Sequence, residues 1–195
     1  MLILGLTGSI GMGKSTAANI FRRQGVNVHD ADAAVHAIYR GEGITAIEEA
    51  FPGSVISGQV DRTRLSQMVL GNENNLALLE RIVHPMVETS RHKFIAQQIQ
   101  QGSNIVVLDI PLLFETGAER AVDLVAVVSA SDEIQKARVM ARPGMTEAKL
   151  NAIKMRQTPN VEKRRRAHFV IDSSISIAHA ESQICGLLRA LAATL

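Results

Sequence analysis

Apolar residues fall along this 195-residue chain in two rhythms. The first is the short unbroken run. Leu2-Ile-Leu-Gly-Leu-Thr7, Ile105-Val-Val-Leu108, Leu124-Val-Ala-Val-Val128 and Phe169-Val-Ile171 are each closed by Gly, Asp or Ser, the pattern of strands covered on both faces. Val26-Asn-Val-His-Asp30 is a fifth, weaker candidate. The second rhythm is helical. From Lys14 to Arg23 it places Ala17, Ile20 and Phe21 on one face, and Gly25 supplies a C-terminal stop. Strand, helix and strand within about 30 residues form a βαβ unit and predict a parallel sheet.

Between Asp32 and Gly102 this alternation gives way to helical patterns, broken at Gly41-Glu-Gly43, Pro52-Gly53, Gly58 and Gly71-Asn-Glu-Asn-Asn75. Pro85 is expected in the first turn of a helix, where its missing N–H is harmless; Val87, Phe94, Ile95 and Ile99 follow at helical spacing. Further on, Asp132 to Arg142 reads as a helix closed by Pro143-Gly144. Thr146 is placed to cap another, carrying Leu150 and Ile153, and Ile177 to Leu195 reads as the last.

Composition narrows the classes. Lys plus Arg number 21 against 19 Asp plus Glu, a formal charge of +2, which argues against a chain built mainly to coat nucleic acid. Five Phe, one Tyr and no Trp leave little for stacking single-stranded bases. Cys185 is the one cysteine, so neither an intrachain disulfide nor a cysteine-cluster zinc site is available, and a reducing compartment fits. No stretch reaches the roughly 18 apolar residues of a membrane span. The apolar N-terminus has no basic leader and runs into a glycine-rich turn. Cytoplasmic location and no membrane partner are the expectations, with oligomeric state left open.

The chemistry starts at Gly8-Ser-Ile-Gly11-Met12-Gly13-Lys14-Ser15-Thr16, which fits G-x-x-x-x-G-K-[ST] between a predicted strand and a predicted helix. Glycines allow backbone N–H groups to close around phosphate oxygens, and the helix N-terminus adds its positive end. In that arrangement Gly8, Gly11, Met12, Gly13, Lys14, Ser15 and Thr16 bind ATP; Lys14 reaches the β- and γ-phosphates and Ser15 ligates Mg²⁺. The expected fold is therefore α/β, a five-stranded parallel sheet of the P-loop NTPase type flanked by helices, with a helical insertion and a basic lid. Residues 1–31, 103–137 and 168–195 form the nucleotide-binding core, 32–102 the insertion and 138–167 the lid. Neither N-K-x-D nor D-x-x-G occurs, which disfavours a switch GTPase.

Acids at strand ends come next, since ligands of open α/β sheets sit beyond the carboxyl ends of the strands. Asp30 and Asp32 follow the second strand. A carboxylate there can accept a hydroxyl proton or orient the hydroxyl, and either residue can equally cap the next helix. Asp32 is the favoured catalytic candidate. Asp109 ends the third strand, where an acid holds Mg²⁺ directly or through water. Between Arg138 and Arg166 lie nine of the 21 Lys and Arg against two acids, Glu147 and Glu162. For a kinase this is a lid whose arginines meet the transferring phosphoryl group. The tetrad Lys163 to Arg166 is less specific, reading as solvated surface or a weak nucleic-acid patch.

Nearly end to end the chain resembles the dephospho-coenzyme A kinase family. The residues that carry this are Leu6 to Thr16, Asp30-Ala-Asp32, His84-Pro85, Asp109-Ile-Pro-Leu-Leu-Phe-Glu115, Arg138, Arg142, Gln157 and Ala167-His-Phe-Val-Ile171. The resemblance implies phosphoryl transfer from ATP to the ribose 3′-hydroxyl of dephospho-CoA, with ATP and dephospho-CoA as the partners and no nucleic acid. It makes Asp32 the base or orienting residue, and Lys14, Arg138 and Arg142 the groups stabilising the phosphoryl group. It places the acceptor against Asp32, His84, Pro111, Leu112, Leu113 and Phe114, in a CoA-binding insertion. Pro143-Gly144 after Arg142, His168 where the family often has Asp, and Asp172 where it often has Asn depart from that pattern. A kinase for another small hydroxyl or a nucleoside monophosphate would share the loop and lid. Outside enzymes, the alternative is an NTP-binding regulatory or nucleic-acid-associated protein using Lys163 to Arg166.

Overall fold

A computed structural model describes residues 1–194. The chain divides into two compact units, one made of Met1–His29 with Gln98 onward, the other of Asp30–Gln97.

The first unit is built on a five-stranded sheet. Its strands are β1 (Leu2–Thr7), β2 (Asn27–Asp30), β5 (Ile105–Asp109), β6 (Leu124–Ser129) and β7 (Phe169–Asp172), in the order β2-β5-β1-β6-β7. β1 pairs in parallel with both β5 and β6, and β6 with β7. Alternation along the strands explains the unbroken apolar runs. Leu4, Leu6, Val107, Ala126 and Val128 join one core with Ala17, Ile20 and Phe21 of α1 (Lys14–Arg23) and Ile184 and Leu187 of α9 (Ile177–Ala192). Val125 and Val127, one position out of phase, point the other way into a core with Leu113 and Phe114. Both faces are covered, so no polar residue is needed on either.

The expected strand and helix of residues 2–23 have the expected bounds. Asp132–Met140 (α6) ends two residues earlier than expected, Thr146 caps Glu147–Met155 (α7) through Lys149 N–H at 3.2 Å, and the last helix ends at Ala192; Leu195 lies outside the described residues. A helix not foreseen, Asn160–Arg166 (α8), takes up the basic tetrad. Far from being a uniformly solvated run, it buries Lys163 completely, with Nζ 2.9 Å from Glu115 Oε1. Arg166 pairs with Glu119 at 2.5 Å and lies over the Phe114 ring, 4.2 Å from its centre. A cation between Phe114 and an acid is held by the π-face as well as by charge.

The second unit contains α2 (Ala31–Ile38), α3 (Ile44–Ala50), α4 (Arg62–Val69), most of α5 (Glu73–Gln100) and a hairpin of β3 (Val55–Ile56) and β4 (Gln59–Val60). Its core gathers Ile47, Phe51, Val60, Leu65, Val69, Leu79 and Val83. Two-residue strands have no readable period, so the hairpin escaped the helical pattern. Its turn puts Ser57 at φ 51° and Gly58 at φ 76°, the paired left-handed geometry of a tight hairpin. Pro85 also differs from expectation: it sits inside α5. The helix begins earlier because Asn72 caps it, accepting the Asn75 N–H at 3.1 Å. Its proline forfeits one backbone bond inside the helix, and Thr89 Oγ1 donates to the Pro85 carbonyl at 2.9 Å.

The buried pair at Lys163 makes stability depend on acid pH. Burial opposes ionisation of Glu115, but the Lys163 ammonium and the Thr158 N–H outweigh it and hold the carboxyl below its usual range. A lowered folded-state pKa adds stability present above the unfolded value of about 4.3 and lost as pH falls through the folded one. Glu115→Gln should therefore flatten the decline of Tm with falling pH below about 4.3. Lys163→Met, stranding the carboxylate, should cost about 3 kcal/mol in urea unfolding at pH 7; an unchanged midpoint would show that the pair contributes nothing.

Candidate active site

Residues 8–13 leave the carboxyl end of β1 as a turn and deliver the chain into α1. Gly11 (φ 77°) and Gly13 (φ 86°) take left-handed conformations. A Cβ on Gly11 would stand 2.5 Å from Val139 Cγ2, and one on Gly8 would stand 2.8 Å from the Val128 carbonyl oxygen. Glycine is required at both by space, and at Gly11 by backbone geometry too. Gly13 is the N-cap of α1 and has no side chain to offer, while the first turn carries no acid. The opening N–H groups and the positive end of the helix are thus left for an external anion.

The turn is braced from outside. Ala130 N–H donates to Met12 Sδ at 3.0 Å, and Ser173 Oγ donates to the Met12 carbonyl at 2.8 Å. The Met12 side chain is fully buried and its N–H donates to the Ser9 carbonyl at 3.1 Å, so Met12 shapes the turn from within. Gln135 Nε2 donates to the Ile10 carbonyl at 2.8 Å, and Ile10 N–H donates to Gln157 Oε1 at 3.1 Å. Gln135 and Ser173 had no recognisable sequence signal, because their partners are backbone atoms far along the chain. Gln157 was visible only through the family resemblance.

Parallel register sets Leu6 opposite Asp109 and so brings the acid to the loop. Lys14 Nζ lies 2.6 Å from Asp109 Oδ1, whose side chain is 2% exposed. Ser15, one residue on, is exposed. A hydroxyl and a carboxylate are hard oxygen donors, and Mg²⁺ takes one or two of these with the oxygens of a bound nucleotide, so the residues present fit that ion. Thr16 is half-buried in the first turn of α1. Arg138 is anchored beside the turn, donating to Ser173 Oγ at 3.0 Å and to the Ser173 carbonyl at 2.7 Å. Arg142 is exposed.

After β5, Thr7 Oγ1 donates to the Pro111 carbonyl at 3.1 Å. Of the Pro111–Phe114 segment, Leu113 and Phe114 are enclosed in the protein's own core, while Leu112 is exposed and Pro111 half-exposed. His168 departs from the family pattern yet serves an evident purpose: its Nδ1 accepts the Val125 N–H at 3.1 Å, which an aspartate oxygen would also do. Asp172, another departure, accepts the Ser174 N–H at 2.7 Å, and this bond holds its carboxyl below the usual range.

Within the second unit the two acids divide their duties. Asp30 caps α2, accepting the Ala33 N–H at 3.0 Å. Asp32 is left to line a cavity of about 810 Å³ with Val35 and His36 of α2, Tyr39 at its C-terminal cap, and Arg62 and Ser66 of α4. Asp32, Val35, His36 and Tyr39 share one face of α2 by helical spacing, and Arg62 Nη1 sits 3.1 Å from His36 Nε2. His84 is not brought there; it lines a separate groove on α5 with Asn74, Glu80 and Arg81.

A strand, a glycine turn, an uncapped helix with its lysine and a parallel sheet around them define a phosphate-loop kinase fold. The dephospho-CoA kinase family model matches residues 2–179, and the chain belongs to that family of ATP-dependent kinases. It is 56% identical over 188 residues to the dephospho-CoA kinase of Bradyrhizobium diazoefficiens, spanning 96% of this chain and 94% of that one. The crystal structure of a Thermus thermophilus protein superposes with a TM-score of 0.84 at 34% identity, covering 97% of this chain and 96% of that one. The dephospho-CoA kinase of Campylobacter jejuni superposes with a TM-score of 0.67 at 25% identity, with the same coverage. Among the described residues no helix is long and apolar enough to cross a membrane.

The bracing of the turn makes a direct prediction. Gly11→Ala should destabilise the protein by about 1–3 kcal/mol, as overpacking against Val139 does, and weaken ATP binding. Gly25→Ala, also at positive φ but with open space around it, should strain the backbone without changing ATP affinity. Equal ATP affinities for the two variants in calorimetry would contradict the loop assignment.

Proposed function

We propose that this chain transfers the γ-phosphoryl group of ATP to the ribose 3′-hydroxyl of dephospho-CoA, giving CoA and ADP, and that it does so in the cytoplasm, where a lone thiol such as Cys185 stays reduced. The observation that carries this reading is the uncapped start of α1 beneath the glycine turn, with Lys14 beside it, in a chain of this family. On this reading residues 32–102 bind the acceptor and 138–167 act as the lid.

The residue roles follow from charge and proton flow. Backbone N–H groups of Gly11 and of Gly13 to Thr16 hold the β- and γ-phosphates, while the Met12 N–H stays on the Ser9 carbonyl, and Lys14 exchanges part of its contact with Asp109 for the same oxygens. Ser15 and Asp109 would hold Mg²⁺, which when bound neutralises charge on the β- and γ-oxygens. Asp32 accepts the proton of the 3′-hydroxyl as its oxygen bonds to the γ-phosphorus; the bond from that phosphorus to the bridging oxygen of ADP breaks, and ADP leaves with the electron pair. Arg138 and Arg142 meet the charge on the phosphoryl oxygens. Among the described residues Arg62 is the one Lys or Arg lining the Asp32 cavity, which suits an acceptor carrying phosphates. Pro111 and Leu112 offer apolar contact, and His84 contributes from its own groove.

The test is ADP release from Mg–ATP with mass detection of the phosphorylated acceptor, using dephospho-CoA against AMP, CMP, adenosine and shikimate. Phosphorylation of dephospho-CoA in preference to all four is expected; preference for another would overturn the substrate. Asp32→Asn should lower kcat by about 10²-fold or more and leave ATP affinity unchanged. A near-wild-type kcat would remove Asp32 from the chemistry.

A further inference from the structure

Two glutamines remote from each other in sequence grip one residue of the phosphate loop. Ile10 lies in the middle of the turn, and its carbonyl accepts from Gln135 Nε2 at 2.8 Å while its N–H donates to Gln157 Oε1 at 3.1 Å. These are the two peptide groups flanking the Ile10 Cα, so together they fix the orientation of the backbone there. Gln135 comes from α6 and is 1% exposed, lying beneath the turn where Gly11 packs on Val139. Its amide N–H is committed to the Ile10 carbonyl. Gln157 lies two residues past the end of α7, in the basic segment, and its place is itself fixed. Its own N–H donates to the Lys154 carbonyl at 3.1 Å, and the next residue's N–H, on Thr158, donates to Glu115 Oε1 at 2.7 Å. Ser9, Gln135, Gln157, Lys154 and Arg164 line one cavity of about 630 Å³, so the loop and the basic segment are walls of the same space.

We propose that Gln157 and Gln135 are positioning residues that act as a clamp on Ile10, setting the phosphate loop and the end of the basic segment in one fixed relation. The clamp makes the shape of the loop and the placement of the cations on α7 and α8 a single variable. A loop fixed before the nucleotide arrives presents its N–H groups with less reorganisation, so losing the clamp weakens phosphate binding. Neither amide needs to touch the nucleotide. The proposal rests on the kinase reading only for its activity assay.

The experiment uses Gln157→Met, Gln135→Met and the double variant, because methionine keeps the length and volume while removing the amide. Hydrogen exchange of the Ile10 amide, measured without any nucleotide, should quicken by about tenfold in Gln157→Met, as expected for one lost hydrogen bond. Each single variant should lower kcat/KM for ATP by about three- to tenfold. The double variant should be little worse than the poorer single one, since both act on one residue. KM for the acceptor at saturating ATP should stay as in the wild type, a split that general loss of fold would not produce. Impairment in Gln157→Met but wild-type kinetics in Gln135→Met would overturn the clamp, because it would show Gln157 acting on substrate alone. Unchanged Ile10 exchange would overturn it as well. If no acceptor were phosphorylated by the wild-type protein, the proposed reaction would fail, while the exchange data and ATP affinity would still decide the clamp.

Discussion

The molecule depends on a helix that begins without a cap. An Asp, Ser or Thr before Lys14 would stabilise α1 by about 1 kcal/mol, as Asp30 does for α2, Asp61 for α4 and Ser176 for α9. Gly13 forgoes this. What replaces the cap is bracing from behind, through Met12, Ser173, Gln135 and Gln157. The turn is held in shape by groups on its outer side, so that the inner side keeps its donors. Local stability is given up where a ligand supplies the missing acceptor, a common arrangement at phosphate sites.

Charge burial works alongside this. Asp109 is almost fully enclosed, and an enclosed carboxylate costs several kcal/mol unless a cation stands next to it. The parallel register that places Asp109 beside Leu6 makes Lys14 that cation. The loop lysine is therefore held in position by a buried acid. Lys163 and Glu115 form a second pair of the same kind, at the point where the basic segment returns to the sheet. Here the requirement is structural: α8 is a short helix with four consecutive basic residues in its last turn, and internal acids at Glu115 and Glu119 give two of them fixed destinations.

Much of the first unit could be read from the chain, because doubly covered strands leave a continuous apolar run and the glycine motif has a stated spacing. β1 and α1 therefore had unambiguous bounds. The second unit was harder. The β3–β4 hairpin is too short for any period, and Pro85 inside α5 runs against its usual preference. For the candidate site, Lys14, Ser15 and Asp109 were legible because the motif and a strand end mark them. Which of Asp30 and Asp32 caps α2 was open until the Asp30–Ala33 bond settled it. Lys163 read as surface since a burial partner 48 residues away leaves no local trace. The glutamines on Ile10 bind backbone, and backbone partners have no sequence signature at all.

Lys14 and the uncapped turn are the proposed phosphate holders. Calorimetric titration of Mg–ATP into the wild type and Lys14→Gln, each shown by circular dichroism to be folded, tests this role most directly. The account predicts an affinity lower by at least about tenfold in the variant, the loss of one charge-assisted contact. Equal affinities in two folded proteins would contradict it and place the nucleotide elsewhere.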